Sequence, residues 1–439
     1  MKYFCVYDII ESGICPVLFF VWCIRRDRLK NLKLAAVCLS CLTMTGCSAL
    51  NFSVEGLINA PKLTSEQSEI HQALIESVGS NITLKYPKNG EYRSAYVIAN
   101  IDDEPTDEAM VFYEYTSNGS EEDGLRVNIL DKDEDGKWYS VKELAGAGTD
   151  IDQVIISPMG SNNQTDVFVG YQNLTNDEKT MEIYSYTDGD FKRVALDTYS
   201  VLEPLDINND GYIELITIQR STNNDTGAVT AKASMLNMKN NEITRGENVD
   251  MCDNVTSYVS SKTGMLDSGR RAIFIDGLTA DGKLQTEIIY YRYSGLQNPM
   301  QLRSEKLLPL CTRPAGYYSE DMDGDGDVEI PSTSPMVGYE NAVADEMLYM
   351  TTWSVYEDFY DLKTKYTGYY AISDGYFVTF PKRWNSSVTV KKDSDTNELV
   401  FYKYTGDINE SNEEIMRIAV SSKNDSAVSY THLRAHETS

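Results

Sequence analysis

From residue 88 into the low 400s, short runs of alternating or continuously apolar positions are separated by clusters of Asn, Asp and Gly. Runs of that length with period two predict β-strands, and the polar clusters predict tight turns between them. Asp135-Gly136-Lys137-Trp138, Thr187-Asp188-Gly189-Asp190-Phe191 and Lys239-Asn240-Asn241-Glu242 are typical of the turns. One earlier stretch has a different period. Thr64-Ser65-Glu66-Gln67 reads as a capping box, in which hydroxyl and amide side chains satisfy the first orphan amides of a helix. Ile70, Leu74 and Val78 then recur at four-residue spacing as one apolar stripe, and Gly79 stops the helix. His71 lies off that stripe and reads as solvent-facing.

The strands repeat. Those following each acidic turn begin at Glu108, Asp166, Glu214, Ala272 and Glu329, at spacings of 58, 48, 58 and 57 residues. In the first four cases another strand precedes the turn and a longer hairpin follows, so the unit is four-stranded. Four-stranded units of this length set radially are the blades of a β-propeller. The fold class expected is therefore all-β: a β-propeller of four-stranded blades over residues 88–338, about five repeats, with a short N-terminal helix. Beyond 339 the repeat fades into an aromatic-rich stretch, including Trp353, Tyr369, Tyr370, Phe380 and Trp384. This stretch reads as a small β-rich C-terminal domain over 339–426, its rings forming core rather than a sugar-binding face.

Charge narrows the function classes. The 439 residues carry 39 basic and 67 acidic side chains, a formal charge of −28. A nucleic-acid groove needs a basic field, so no nucleic-acid partner is expected. Only three His are present, two of them within the last eight residues, and no nucleophile, zinc or phosphate-loop motif appears. No catalytic residue is expected.

Six of the eight Cys (Cys5, Cys15, Cys23, Cys38, Cys41 and Cys47) fall in the first 47 residues. Arg25, Arg26, Arg28, Lys30 and Lys33 precede the apolar run Leu34–Met44, which has the length and flanks of a secretion signal. Met44-Thr45-Gly46-Cys47 resembles the bacterial lipobox, in which the Cys sulfur takes diacylglycerol after cleavage, here with Met44 where Leu is usual. The resemblance implies a leader over 1–46, lipidation at Cys47, a tether with helix over 47–87 and a membrane partner reached through a lipid anchor. Cleavage removes six basic and three acidic residues, taking the formal charge from −28 to −31. Residues 1–24, with Asp8 and Glu11 before a second apolar stretch, read as a transmembrane segment or an added upstream start. The tail over 427–439 resembles translated adapter read-through.

Two turns carry a family resemblance. Asp206-Ile207-Asn208-Asn209-Asp210-Gly211-Tyr212-Ile213-Glu214 and Asp321-Met322-Asp323-Gly324-Asp325-Gly326-Asp327-Val328-Glu329 resemble the calcium loops of integrin-type FG-GAP/VCBS propeller repeats. A hard cation wants six to eight oxygens, and Gly at position six permits the sharp turn. The resemblance implies side-chain oxygens from Asp206, Asn208, Asp210 and Glu214 with the carbonyl of Tyr212. In the second loop it implies Asp321, Asp323, Asp325 and Glu329 with the carbonyl of Asp327. The turn from Asn100 to Glu108 keeps Asp102, Glu104 and Glu108 but has Pro105 in place of Gly. The stretch Asp131–Gly136 has three acids but Tyr139 at position nine and reads as a plain hairpin turn. Three functions follow as expectations: a calcium-stabilised, lipid-anchored propeller binding a protein or glycan at the bacterial cell envelope; a carbohydrate-active enzyme; and a scaffold of an envelope complex.

Overall fold

The computed structural model describes residues 63–419, apart from 103, 117–123, 159–164, 174–177, 188–189, 223–224, 226–228, 240–241, 344–345, 358–360 and 397. The leader, Cys47, most of the tether and the tail expected at 427–439 lie outside the described residues. No helix among the described residues is long and apolar enough to cross a membrane.

Helix α1 (Ser65–Val78) buries Ile70, Ala73 and Leu74 and ends at Gly79, whose φ of 85° favours glycine. His71 corrects the solvent-facing expectation. It is half-buried, and its Nδ1 shares a 2.8 Å hydrogen bond with Tyr96 Oη, tying the helix to the first sheet.

The strands of the described chain form six antiparallel sheets in sequence order. The first comprises β1 (Ile82–Leu84), β2 (Tyr96–Ala99), β3 (Glu108–Tyr115), β4 (Leu125–Lys132) and β5 (Trp138–Ala145). Here β1 and β2 pair with successive parts of β3, and β4 and β5 follow. The second runs β6 (Asp150–Pro158), β7 (Thr165–Gln172), β8 (Lys179–Thr187), β9 (Asp190–Tyr199). The third runs β10 (Val201–Leu205), β11 (Glu214–Thr222), β12 (Val229–Lys239), β13 (Glu242–Asp250). The fourth runs β14 (Val255–Met265), β15 (Arg271–Thr279), β16 (Lys283–Arg292), β17 (Gly295–Gln297), with β18 (Thr312–Pro314) also on β16. The fifth is β19 (Ile330–Pro335), β20 (Tyr349–Glu357), β21 (Asp361–Ala371), β22 (Tyr376–Thr379). The sixth is three-stranded: β23 (Val388–Lys392), β24 (Leu399–Lys403) and β25 (Glu414–Ile418).

Alternation along the second strand of a sheet decides which neighbour each residue meets. On β3, Ala109, Val111 and Tyr113 pack toward α1, while Met110 and Phe112 pack against Val167, Val169 and Tyr171 of β7. On β7 the intervening Phe168 joins Leu215 of β11 and Leu236 of β12. Ile216 and Ile218 of β11 meet Ile273 and Ile275 of β15, whose Ala272 and Phe274 share a core with Ile330 and Tyr356 of the fifth sheet. Tyr369, Val378 and Phe380 then pack on Val390 and Phe401 of the sixth. Gly170 on β7 leaves room for Tyr199 of β9 in the same sheet. A Cβ there would lie 2.0 Å from Tyr199 Oη, which donates to the buried Asp152 at 2.7 Å.

Two expectations change. The fifth sheet pairs β19 with β20 from Ile330↔Ser354 to Pro335↔Tyr349, so the expected boundary at 338/339 falls between paired strands of one sheet. Strands β20, β21 and β22 complete that sheet. The aromatic stretch is core, with Trp353 buried edge-to-face on Tyr370 and Phe377. In the fourth sheet the second hairpin arm stops at Gln297, because Asn298 caps α2 (Pro299–Leu302) by accepting from the Met300 amide. A second short helix, α3 (Ser304–Cys311), follows.

A buried ion pair fastens this insertion. Arg313 Nη2 lies 2.8 Å from Asp276 Oδ1, with side-chain exposures of 0% and 1%. The remaining groups are satisfied: Arg313 donates to the carbonyls of Cys311 and Tyr317 and to Thr286 Oγ1, and the Ser319 amide donates to Asp276 Oδ2. Cys252 and Cys311 are both free and buried, and burial pushes the Cys311 thiol up to about 12. Asp276→Ala leaves a buried guanidinium without its charge partner and should cost about 3–5 kcal/mol in denaturant unfolding. Asp281→Ala, which breaks an exposed pair with Lys283, should leave the curve almost unmoved.

Candidate metal centres

The first complete acidic loop precedes an interior strand of its sheet, the second an outer one. The first joins β10 to β11; the second leads into β19, with a single bridge between Glu320 and Glu329 ahead of that strand. Short-range geometry follows from the residue types. Asp206 accepts from the amides of Asp210 (3.0 Å) and Gly211 (3.2 Å), and Asp321 accepts from those of Gly324 (2.7 Å) and Gly326 (3.0 Å). Gly211 and Gly326 both have φ of 95°, which their lack of Cβ permits.

The closing glutamates are fixed alike. Glu214 Oε2 accepts from the Ile207 amide at 3.1 Å, and Glu329 Oε2 from the Met322 amide at 2.8 Å. The turn ending at Glu108 makes the same bond, from the Ile101 amide at 2.8 Å, although Pro105 replaces its glycine. All three glutamates are nearly fully buried. Burial, then the neighbouring Asp210 and Asp206, raise Glu214 to about 7 against the pull of the Ile207 amide. Burial likewise raises Glu108 to about 7, with Asp102 and Asp131 adding to it and the Ile101 amide opposing.

The oxygens left over by backbone amides converge. In the second loop, Asp323 Oδ2, Asp325 Oδ2 and Glu329 Oε1 surround Lys365 Nζ of β21 at 2.9, 2.5 and 2.8 Å. Tyr366 also donates to Asp323 at 2.5 Å. Carboxylate oxygens of Asp321, Asp323 and Asp325 lie within 4.8 Å of one another. Burial opposes the Lys365 charge, but the bonds to Asp323, Asp325 and Glu329 outweigh it and raise its pKa. At Glu329 burial outweighs the same ammonium, so its pKa is raised. In the first loop the corresponding place holds the Asn208 amide, donating to Asp210 Oδ2 (3.0 Å) and Glu214 Oε1 (2.6 Å). Arg271 Nη1 of β15 reaches Asp206 Oδ2 and the Asp206 carbonyl, both at 3.0 Å.

The donor sets therefore fit a cation. Lys365 is a tethered one, already holding one oxygen from each of three carboxylates. Tyr212 and Asp327, expected to offer carbonyls, sit at position seven with their amides donating to Asp210 and Asp325. Sequence reading missed Lys365, Tyr366 and Arg271, which arrive from β21 and β15; no local signal links them to the loops. In the stretch Asp131–Gly136, Asp131 and Lys132 end β4, and the hairpin turn to β5 is closed by Asp133 accepting from the amides of Asp135 and Lys137.

No protein-family model and no curated protein matches this chain. Among solved structures it is similar to a putative 6-phosphogluconolactonase from Bacteroides fragilis, at 12% identity over 78% of this chain and 97% of that one, TM-score 0.29. It is also similar to an α-L-arabinanase from Penicillium chrysogenum (10% identity, 77% and 98% covered, TM-score 0.29). A levansucrase from Bacillus subtilis matches at 7% identity, with 70% and 90% covered and a TM-score of 0.28. Likeness of this size assigns neither fold nor activity.

Glu108 yields a pH prediction. Its pKa is about 7 folded against an ordinary 4.5, so the folded state binds its proton more tightly. That contribution is complete below about 4.5 and is lost as pH rises through about 7. Glu108→Gln, neutral throughout, should flatten the fall in denaturant midpoint between about pH 5 and about pH 8; an unchanged slope would remove Glu108 from the pH response.

Proposed function

We propose that this is an exported, lipid-anchored protein of propeller-type blades, stabilised by calcium in the 206–214 and 321–329 loops, that binds a protein or glycan ligand at the bacterial cell envelope. The observation that carries the calcium part is the convergence of Asp323, Asp325 and Glu329 oxygens on one point held by Lys365 Nζ. Calcium entry displaces Lys365, whose side chain is 22% exposed and can swing to solvent, and turns the Asn208 amide away from Asp210 and Glu214. The anchor rests on the Met44–Cys47 pattern, and the blades on six sheets packed in chain order.

A cation bound only by the folded form stabilises by RT ln(1 + [L]/Kd), about 2.7 kcal/mol at a hundredfold excess over Kd. The wild-type protein should therefore melt higher in millimolar calcium than in chelator, and magnesium should substitute poorly because its octahedral shell fits a multidentate loop badly. Asp210→Ala and Asp325→Ala should each remove one site, whereas Asp133→Ala should not. Lys365→Met should melt lower than wild type in chelator, and calcium should restore it by a larger increment than wild type shows. Equal midpoints with and without calcium, together with no calcium by elemental analysis, would reduce the loops to solvated turns.

The anchor has a separate test. Wild-type protein should partition into detergent with Cys47 at its processed N-terminus, and Cys47→Ala should remain unprocessed or be released. Equal partitioning of both forms, with residues 1–46 retained, would remove the lipoprotein reading.

A further inference from the structure

In a chain this acidic, many cationic side chains lie against carboxylates. Lys85, Lys142, Arg193, Arg245, Lys365 and Arg417 each lie against Asp or Glu. Arg220 does not. Among the described residues its side chain has no hydrogen-bond or ion-pair partner, and its Nε is buried without an acceptor.

Its position follows from strand register. Ile216 and Ile218 of β11 face the fourth sheet, and Arg220, two residues on, shares that face. Tyr258 of β14 stands in the same pocket, and its hydroxyl is also buried without a partner. Burial, then the carboxylate of Glu287, push the tyrosine pKa up, so the hydroxyl remains a donor. The pocket has a volume of about 180 Å³ and is further lined by Gln172, Lys179, Ser200 and Ser257. Lys179 is already matched by Asp152 at 2.8 Å, and Gln172 Oε1 accepts from Lys88 at 3.2 Å. Arg220 is the cation left over.

A buried N–H and a buried O–H without acceptors are costly to maintain, and a ligand oxygen relieves both. A guanidinium is matched best by a planar carboxylate, which can take two parallel hydrogen bonds. The hydroxyls of Ser200 and Ser257 and the Gln172 amide suit a polyol, and the cavity is smaller than a drug-sized site, with room for one ring.

We propose that this pocket binds the carboxylate-bearing ring of an acidic sugar, with Arg220 as its anion anchor and Tyr258 as a second donor. The proposal deepens the glycan form of the function above and rests on it. It places a local cation in a strongly anionic protein, so recognition is confined to this pocket rather than spread over a basic surface.

Calorimetric titration of the full chain in detergent, with trigalacturonate and with uncharged galactotriose, tests it. Chelator is present, so that calcium held by the sugar contributes nothing. Trigalacturonate should bind saturably and galactotriose at least tenfold more weakly. Arg220→Met should weaken trigalacturonate at least tenfold at an unchanged melting temperature, Arg220→Lys should retain part of the affinity, and Tyr258→Phe should lose severalfold. Equal binding of the two trisaccharides, or full affinity in Arg220→Met, overturns the acidic-sugar site while leaving a glycan-binding protein. Absence of binding by either trisaccharide overturns both readings. The calcium and anchoring tests above stand apart from that result.

Discussion

The constraint on which the rest depends is that the central strands are apolar on both faces. A sheet whose second strand reads Ala-Met-Val-Phe-Tyr from residue 109, or Val-Phe-Val-Gly-Tyr from 167, cannot present either face to water. Each buried side chain of that size contributes roughly 1.5–3 kcal/mol only when a neighbour covers it. Every such sheet therefore needs cover on two sides, and successive sheets supply it to one another. For the first sheet, α1 takes the place of a preceding neighbour, laying Ile70, Ala73 and Leu74 over Val111 and Tyr113. The helix is a cover before it is anything else.

Stacked sheets leave polar groups at the strand ends, and there the chain concentrates carboxylates. Each closing glutamate, Glu108, Glu214 or Glu329, is held by the amide seven residues earlier, so burial of the carboxylate accompanies closure of the turn. Repulsion among the remaining acids needs a cation. The chain supplies partial answers of its own, Lys365 from two strands away and Arg271 from the next sheet. Under the calcium proposal the two loops differ in what must move: the Lys365 ammonium in one, the neutral Asn208 amide in the other. The excess of acids also sets Arg220 apart, since its Nε is buried without a carboxylate against it.

Much of the fold was legible locally. Strand starts at Glu108 and Glu214 coincide with β3 and β11, because a strand following an acidic turn is marked by its own alternation and by the turn chemistry before it. The helix from Ser65 and its stop at Gly79 were legible for the same reason: a four-residue apolar stripe and left-handed backbone are properties of nearby residues. The shortness of the second hairpin arm in the fourth sheet was not legible from strand periodicity, because Asn298 and Pro299 turn the chain into a helix.

What the amino-acid order determined by itself was therefore periodic and local: which residues pair off to opposite faces, where the turns close, and which oxygens each acidic loop offers. Only the tertiary structure decided which surface covers each face and which distant side chain enters each site. Periodicity says that a residue points to one side of a sheet, not what it finds there. So the union of 330–335 with 349–379 in one sheet, the His71–Tyr96 bond, the Lys365 ammonium among the 321–329 carboxylates and the isolation of Arg220 beside Tyr258 were all outside its reach. Each depends on contacts between segments far apart in the chain, whose geometry is set by how whole sheets stack.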